Sequence, residues 1–64
     1  MNEYIKFCLF DYYEDDEQVG VFDSIEAATE EARNYDAETD GECRLYLKGL
    51  TATGELVEIE EWKY

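Results

Sequence analysis

Histidine and proline are both absent from this sequence of 64 residues, and Ser24 is its only serine. Without histidine, the chain has no Cys-His or Ser-His couple that could activate a nucleophile. A chain this short also offers little interior in which a carboxyl group could be desolvated for acid catalysis. These absences predict a protein that is not an enzyme and that uses no cofactor.

Basic residues are scarce, because five lysines and arginines stand against 18 aspartates and glutamates, for a formal net charge of −13 at pH 7. Such a charge repels nucleic-acid phosphates and anionic lipid headgroups. No apolar run approaches the roughly 18 residues that a membrane span needs. The sequence therefore predicts no direct binding of nucleic acid and no membrane contact, and it favours a basic protein surface as the partner.

The two cysteines, Cys8 and Cys43, are fewer than a small secreted scaffold usually carries. The alternation of the predicted strands places them on opposite faces of a sheet, a separation that disulfide geometry does not allow. The segment from Met1 to Tyr4 also lacks the basic region and apolar stretch of a secretory signal. We expect two reduced thiols and a cytoplasmic protein, located in the host cytoplasm if a phage encodes it.

The composition, 45% hydrophobic and 16% aromatic, is that of a folded protein, and the length fits a single domain over residues 1–64. A chain of this size buries only about 60% of the surface that its unfolded form exposes, so its core is small. The apolar run 4–13 and the shorter run 18–22 predict two strands. The four consecutive acids of residues 14–17 separate the runs, which predicts a β-hairpin with an acidic loop.

A helix is predicted next, because Asp23 and Glu26 have the spacing of a capping box. Its apolar face consists of Ile25, Ala28, Ala32 and Tyr35. The alternating residues 42–48 predict a third strand, and residues 56–62 predict a fourth. Gly49 marks the expected position of a bulge that changes which side chains face inward.

The order ββαββ predicts an α+β fold of two layers, in which one helix packs on one face of a four-stranded, mainly antiparallel sheet. The order of elements and the length resemble the β-grasp architecture, in which two hairpins meet through parallel central strands. The sequence contains no motif of a β-grasp family, so the resemblance implies an arrangement of elements only.

One helix covers one face of the sheet and leaves the other face uncovered. The predicted alternation gives this outer face an aromatic set: Tyr4, Phe10, Tyr12, Tyr46 and Trp62. Cross-strand aromatic pairs can simply stabilise a small sheet. Aromatic patches also anchor interfaces, which makes a homodimer through this face, or a different partner protein, an alternative interpretation.

The acidic residues are concentrated in one region, since residues 11–42 contain thirteen of the 18 acids and Arg33 is the only base among them. This concentration suggests that carboxylates replace phosphates in the basic site of a nucleic-acid-binding protein, as an anti-restriction or anti-CRISPR inhibitor from a phage or mobile element would. The residues predicted to bind the partner are Glu14, Asp15, Asp16, Glu17, Glu26, Glu30 and Glu31. In the alternative, the acidity serves solubility and the function lies in the homodimer.

Asp36, Glu38 and Asp40 alternate ahead of Gly41 as in the first half of a calcium-binding loop. The glutamate that completes such a loop is replaced by Leu47, and a strand follows instead of a second helix. We expect weak calcium or magnesium binding at most and no dedicated metal site. Two cysteines without histidine also cannot complete a tetrahedral zinc site in one chain.

Overall fold

The chain reverses direction at its acidic run, so that its first two strands pair as a hairpin. The computed structural model describes residues 3–64, and Met1 and Asn2, part of the segment inspected for a signal sequence, lie outside them. The elements are β1 (Tyr4–Asp11), a 3-10 turn (Tyr12–Glu14), β2 (Glu17–Phe22), α1 (Ile25–Glu38), β3 (Leu45–Thr51) and β4 (Leu56–Glu58). The strands form one antiparallel sheet in the order β2-β1-β3-β4, which confirms the predicted α+β fold class.

The hairpin loop forms because aspartate tolerates the left-handed backbone conformation that a tight reversal requires. Asp15 and Asp16 have φ angles of 55° and 59°, values that few residues other than glycine, asparagine and aspartate adopt readily. The side chain of Asp11 accepts a hydrogen bond from the Tyr13 amide and starts the 3-10 turn. The predicted hairpin is present, although β1 ends two residues earlier than expected and Glu17, the last acid of the run, is already the first residue of β2.

The helix begins one residue later than the sequence predicts. Ser24 is its N-cap, with Oγ accepting from the Ala27 amide at 3.1 Å, whereas Asp23 forms an ion pair with Lys6. A serine hydroxyl and an aspartate carboxylate are about equally good caps, so the sequence does not distinguish two such neighbours. The predicted packing face is confirmed, because Ala28 and Ala32 are fully buried.

The central pair of strands is antiparallel, so the chain does not adopt the β-grasp arrangement of parallel central strands. The end of β1 is tied to the residue before β3, since the Tyr12 amide donates to the Arg44 carbonyl at 2.8 Å. The Arg44 amide in turn donates to Oδ1 of Asp11 at 3.1 Å. These contacts fix β3 beside β1 with the opposite direction.

The core lies between the helix and the sheet and is built on small side chains. Leu9, Ala28, Ala32 and Leu47 are fully buried there. Around them pack the partly buried side chains of Phe7, Val19, Phe22, Leu45, Ile59 and Trp62. The alanines let the helix approach the sheet closely, while the larger side chains seal the margins of the core.

Tyr4 lies on the helix side of the sheet, so its predicted place on the outer face is wrong. The register of β1 against β3 shifts between Tyr4 and Lys6, and this bulge moves the ring to the other face. There it contacts the ring of Phe7, with 5.9 Å between centroids, and covers Gly49, where a Cβ would overlap it. Gly49 is thus the site of a close approach and not of the predicted bulge, since it keeps regular pairing with Val57.

Trp62 also lies on the helix side, which corrects its predicted place on the outer face. The fourth strand ends at Glu58, four residues short of the prediction. A turn follows, closed by a hydrogen bond from the Trp62 amide to the Ile59 carbonyl at 3.1 Å. The turn carries the indole to the helix, where Nε1 donates to Oγ1 of Thr29 at 3.0 Å.

Both cysteines are free thiols and both are buried. Cys8 pairs with Lys48 in the sheet, whereas Cys43 contacts Asp36 of the helix, with 3.4 Å between Sγ and Oδ1. The prediction of two unlinked thiols on opposite sides of the sheet is confirmed. Over residues 3–64, no helix has the length and apolar character needed to cross a membrane.

Candidate functional site

The acidic loop lies beside the second half of the helix. All four of its carboxylate residues are exposed. The hydrogen bond that Tyr35 donates to Asp11 is the main cause that raises the pKa of Tyr35 to about 12, followed by burial and by the charges of Asp11, Glu14 and Glu17. Glu14 and Glu17 therefore lie near Tyr35, whereas Glu26 stands nine residues earlier in the helix, about 14 Å away along its axis.

Asp16 is turned away from this region. Its Oδ1 accepts a hydrogen bond from the Tyr46 hydroxyl at 2.8 Å, which ties the loop to the outer face of the sheet. Burial raises the pKa of Tyr46 to about 12, with further contributions from this hydrogen bond and from the charges of Asp16 and Glu58. Asp16 is therefore separated from the other six residues that the sequence predicts to bind the partner. We call these six the acidic surface: Glu14, Asp15, Glu17, Glu26, Glu30 and Glu31.

The helix contributes three carboxylates to the acidic surface. Glu26 and Glu30 are exposed and stand about 6 Å apart along the axis, roughly one turn of helix. Glu31 is half-buried on the flank of the helix. Arg33 is exposed on the same helix, but within residues 3–64 the one ion pair joins Lys6 and Asp23. The acidic surface therefore keeps its charge without internal neutralisation.

Asp11 is the first of the acids in the stretch 11–42 and the one among them that is fully buried. Its side chain is only 1% exposed. Oδ1 accepts from the amides of Tyr13 and Arg44 at 3.0 and 3.1 Å, and Oδ2 accepts from the Tyr35 hydroxyl at 2.9 Å. One carboxylate thus joins the acidic loop, the start of β3 and the helix. The signal was its alternation, which puts residue 11 on the same face as Leu9.

The outer face carries a stack of aromatic rings under an ammonium group. The rings of Phe10 and Tyr46 are 5.3 Å apart at an interplanar angle of 18°. The Nζ atom of Lys48 lies 5.4 and 5.8 Å from their centroids, within range of a cation–π interaction. The predicted outward position of Phe10 and Tyr46 is confirmed, and Tyr12 is 60% exposed beside them.

A groove of about 650 Å³ runs along β3 where β4 ends. We call it the edge groove. Its lining residues are Tyr12, Asp16, Arg44, Leu45, Tyr46, Lys48, Glu58, Ile59, Glu60 and Trp62. Three of the five aromatic residues predicted for the outer face therefore meet here, together with side chains of both charges.

The three acids of the calcium-like segment do not converge. Asp36 Oδ1 accepts from the Cys43 thiol and from the Tyr64 hydroxyl, each at 3.4 Å. Burial and the neighbouring Cys43 and Asp36 raise the pKa of Tyr64 to about 12. Within residues 3–64, no group of three acidic or cysteine side chains could hold a metal ion. In this structure Asp36 serves to attach residues that follow the helix.

No protein-family model matches this chain, and neither a curated protein nor a solved structure matches it.

Proposed function

We propose that this protein is a non-enzymatic binding module of the cytoplasm that inhibits a nucleic-acid-binding protein by occupying its basic site. The observation that carries the proposal is that the carboxylates of the acidic surface, all exposed except Glu31, have no ion pair within residues 3–64. In the proposed complex the loop and the helix present these carboxylates to the partner together. Three of the five basic residues, Lys6, Arg44 and Lys48, belong instead to the sheet layer.

The spacing of the carboxylates supports a partial match to a nucleic-acid backbone. Glu26 and Glu30 are about 6 Å apart along the helix axis, whereas successive phosphates of one strand rise about 3.4 Å each. The helix alone therefore follows roughly every second phosphate. The loop carboxylates add charge at one end of this row, so that a basic cleft would meet both elements.

The mechanism is competitive occupation. Long-range attraction speeds the encounter with a basic cleft, and the bound carboxylates then exclude the nucleic acid. Suitable targets are nucleases, restriction enzymes, CRISPR effectors and transcription regulators, in the setting of a phage or mobile element acting against its host. Because exposed charges are screened by salt, the affinity should fall steeply as ionic strength rises.

The experiment is capture of partners from nuclease-treated bacterial lysate on the immobilised protein at low salt, followed by a salt gradient. The proposal expects one nucleic-acid-binding protein that elutes late and is displaced by added DNA or RNA. The triple variant Glu26→Lys, Glu30→Lys, Glu31→Lys should lose it while the helix remains formed. A diffuse set of basic proteins that elutes early would contradict the proposal.

A matched control separates the acidic surface from net charge. The triple variant Glu3→Lys, Glu55→Lys, Glu61→Lys changes the charge by the same amount at exposed positions outside the acidic surface. This variant should retain the partner with a moderately lower affinity. If the two triple variants lose the partner equally, total charge and not the acidic surface governs binding.

A homodimer through the outer face is the second candidate, and exposed apolar side chains favour it. Val21 and Leu56 are 49% and 48% exposed on this face, and Leu50, the cross-strand partner of Leu56, is partly exposed beside them. The variant Leu56→Glu should then lower the dimer affinity. Sedimentation of the unmodified protein as a monomer at all accessible concentrations would exclude this candidate.

A further inference from the structure

The third strand is left without a neighbour along half of one side. β4 pairs only with Lys48, Gly49 and Leu50, and a hydrogen bond from the Ile59 amide to the Leu47 carbonyl at 2.9 Å extends the contact by one position. The chain then turns away toward the helix. The stretch of β3 that precedes Leu47 therefore has β1 on one side and the edge groove on the other.

The main chain of Leu45 faces this open side. In an antiparallel pair, the backbone groups of successive residues alternate between the two neighbouring strands. Arg44 bonds toward β1, since it accepts from Tyr12, and Leu47 bonds toward the β4 side. By this alternation Leu45 belongs to the second set, and among residues 3–64 no turn or loop residue bonds to its N–H or its C=O. These two groups are arranged to receive one more strand.

We propose that the edge groove binds an extended peptide of another protein that carries a basic residue next to an apolar one, added antiparallel to β3 in line with β4. A peptide residue opposite Leu45 would exchange both backbone hydrogen bonds with it, as in other cases of strand addition. The groove has a volume of about 650 Å³ and is open to solvent on one side, as the binding of an extended peptide requires.

The order of basic and apolar residues follows from what lies on either side of the open edge. The residue opposite Leu45 would direct its side chain to the helix side, where Ile59 and Trp62 pack, so an apolar side chain fits. Its two neighbours would point to the outer face, one opposite Tyr46 and near Asp16, where a basic side chain fits, and the other opposite Arg44, whose like charge disfavours a basic side chain. Aromatic faces and carboxylates together bind cations.

Charge selects a basic occupant over an acidic one. Asp16, Glu58 and Glu60 line the groove against Arg44 and Lys48, and Lys48 already lies over two aromatic rings. The net charge of −13 attracts basic peptides to every part of the protein. The groove shares no residue with the acidic surface, so this inference goes beyond the proposed function and does not depend on it.

The test is an NMR titration of the isotope-labelled protein with the peptide acetyl-Arg-Val-Arg-Val-Arg-amide at low salt. We expect shifts of the amides of Leu45 and Ile59 and of the Trp62 indole, together with slower hydrogen exchange at the Leu45 amide. The same peptide with N-methylated valines should bind about tenfold more weakly, because it cannot donate to the strand. An acetyl-Glu-Val-Glu-Val-Glu-amide peptide should cause no shifts.

Two variants separate the groove from the rest of the acidic protein. The double variant Glu58→Gln, Glu60→Gln should lower the affinity for the basic peptide several-fold. The double variant Glu26→Gln, Glu30→Gln should leave this affinity nearly unchanged. Equal binding of the N-methylated peptide, shifts confined to the helix, or no binding at millimolar concentration would each overturn the proposal. Concentration-dependent shifts of Leu45 without peptide would also overturn it, since a second copy would then occupy the edge.

Discussion

The acidic surface and the outer face of the sheet use charge in opposite ways. On the outer face, two charged groups at the aromatic stack have partners within the molecule: Asp16 accepts from Tyr46, and Lys48 lies over Phe10 and Tyr46. The carboxylates of Glu26 and Glu30 face water and have no hydrogen bond or ion pair within residues 3–64. Charge that has an internal partner contributes to the fold, whereas charge that lacks one costs stability through repulsion. We propose that the binding partner contacts the carboxylates that lack an internal partner.

Asp11 gives the sharpest test of this distinction and the largest expected effect. Asp11→Ala leaves two backbone amides and the Tyr35 hydroxyl without their acceptor in a buried place. Loss of such a group should lower the free energy of unfolding by about 3 kcal/mol, much of the stability of so small a domain. Urea unfolding measures the loss. Glu14→Ala, three residues away and exposed, should change the midpoint little; equal effects would mean that the burial of Asp11 has no energetic weight.

Alkaline pH should weaken both regions through the tyrosines that bond to carboxylates. Tyr35 donates to Asp11 and Tyr46 to Asp16, and the pKa of each is about 12 in the folded chain against an ordinary value of 10.0. A raised folded pKa means that the unfolded chain loses these protons first. The stability they contribute is therefore complete below about pH 10 and falls as the pH rises toward 12. Urea midpoints measured across this interval should decline.

Phenylalanine variants assign that decline to the two hydroxyls. Tyr35→Phe and Tyr46→Phe should each flatten the dependence of stability on pH above about pH 10, since the titrating proton is gone. Tyr13→Phe, at an exposed ring with 62% accessibility, should leave the curve as it is. A decline that persists unchanged in the double variant Tyr35→Phe, Tyr46→Phe would show that other groups cause it.

The sequence predicts the position of a side chain correctly where successive residues of a strand alternate between the two faces of the sheet, and fails where that alternation is interrupted. The four strands, the helix face and the acidic loop follow from local patterns and are present in the structure, although β3 covers residues 45–51 and not the predicted 42–48. Tyr4 and Trp62 were misplaced because a bulge and a turn interrupt the alternation, and both depend on tertiary contacts with Gly49 and Thr29. The hydrogen bond between Tyr46 and Asp16 could not be predicted from a local pattern either, because the two residues are 30 positions apart in the chain.

The start of the helix offers a smaller effect that compares two neighbouring polar residues. Ser24→Ala removes the acceptor of the Ala27 amide and should lower the free energy of unfolding by about 1 kcal/mol. Asp23→Ala removes an ion pair with Lys6 in which the aspartate side chain is 83% exposed, and such pairs contribute little. Chemical denaturation should rank Ser24→Ala well below Asp23→Ala in stability. The reverse order would make Asp23 the effective cap.

The smallest expected effect is a gain in stability. It tests whether carboxylates without an internal partner cost stability while partnered ones contribute to it. Glu30 and Glu38 are exposed on the helix, and Glu38 stands in its last turn, where a negative charge opposes the helix dipole. The double variant Glu30→Gln, Glu38→Gln should therefore raise the urea midpoint slightly at low salt, because it relieves repulsion and removes no internal contact. The gain should vanish at high salt, where exposed charges are screened. Neutralising Asp16 by Asp16→Asn should lower the midpoint under the same conditions, since its oxygen accepts from Tyr46. A stabilising effect of both variants would mean that the outer face tolerates its charge no better than the acidic surface does, and the distinction between partnered and unpartnered carboxylates would fail.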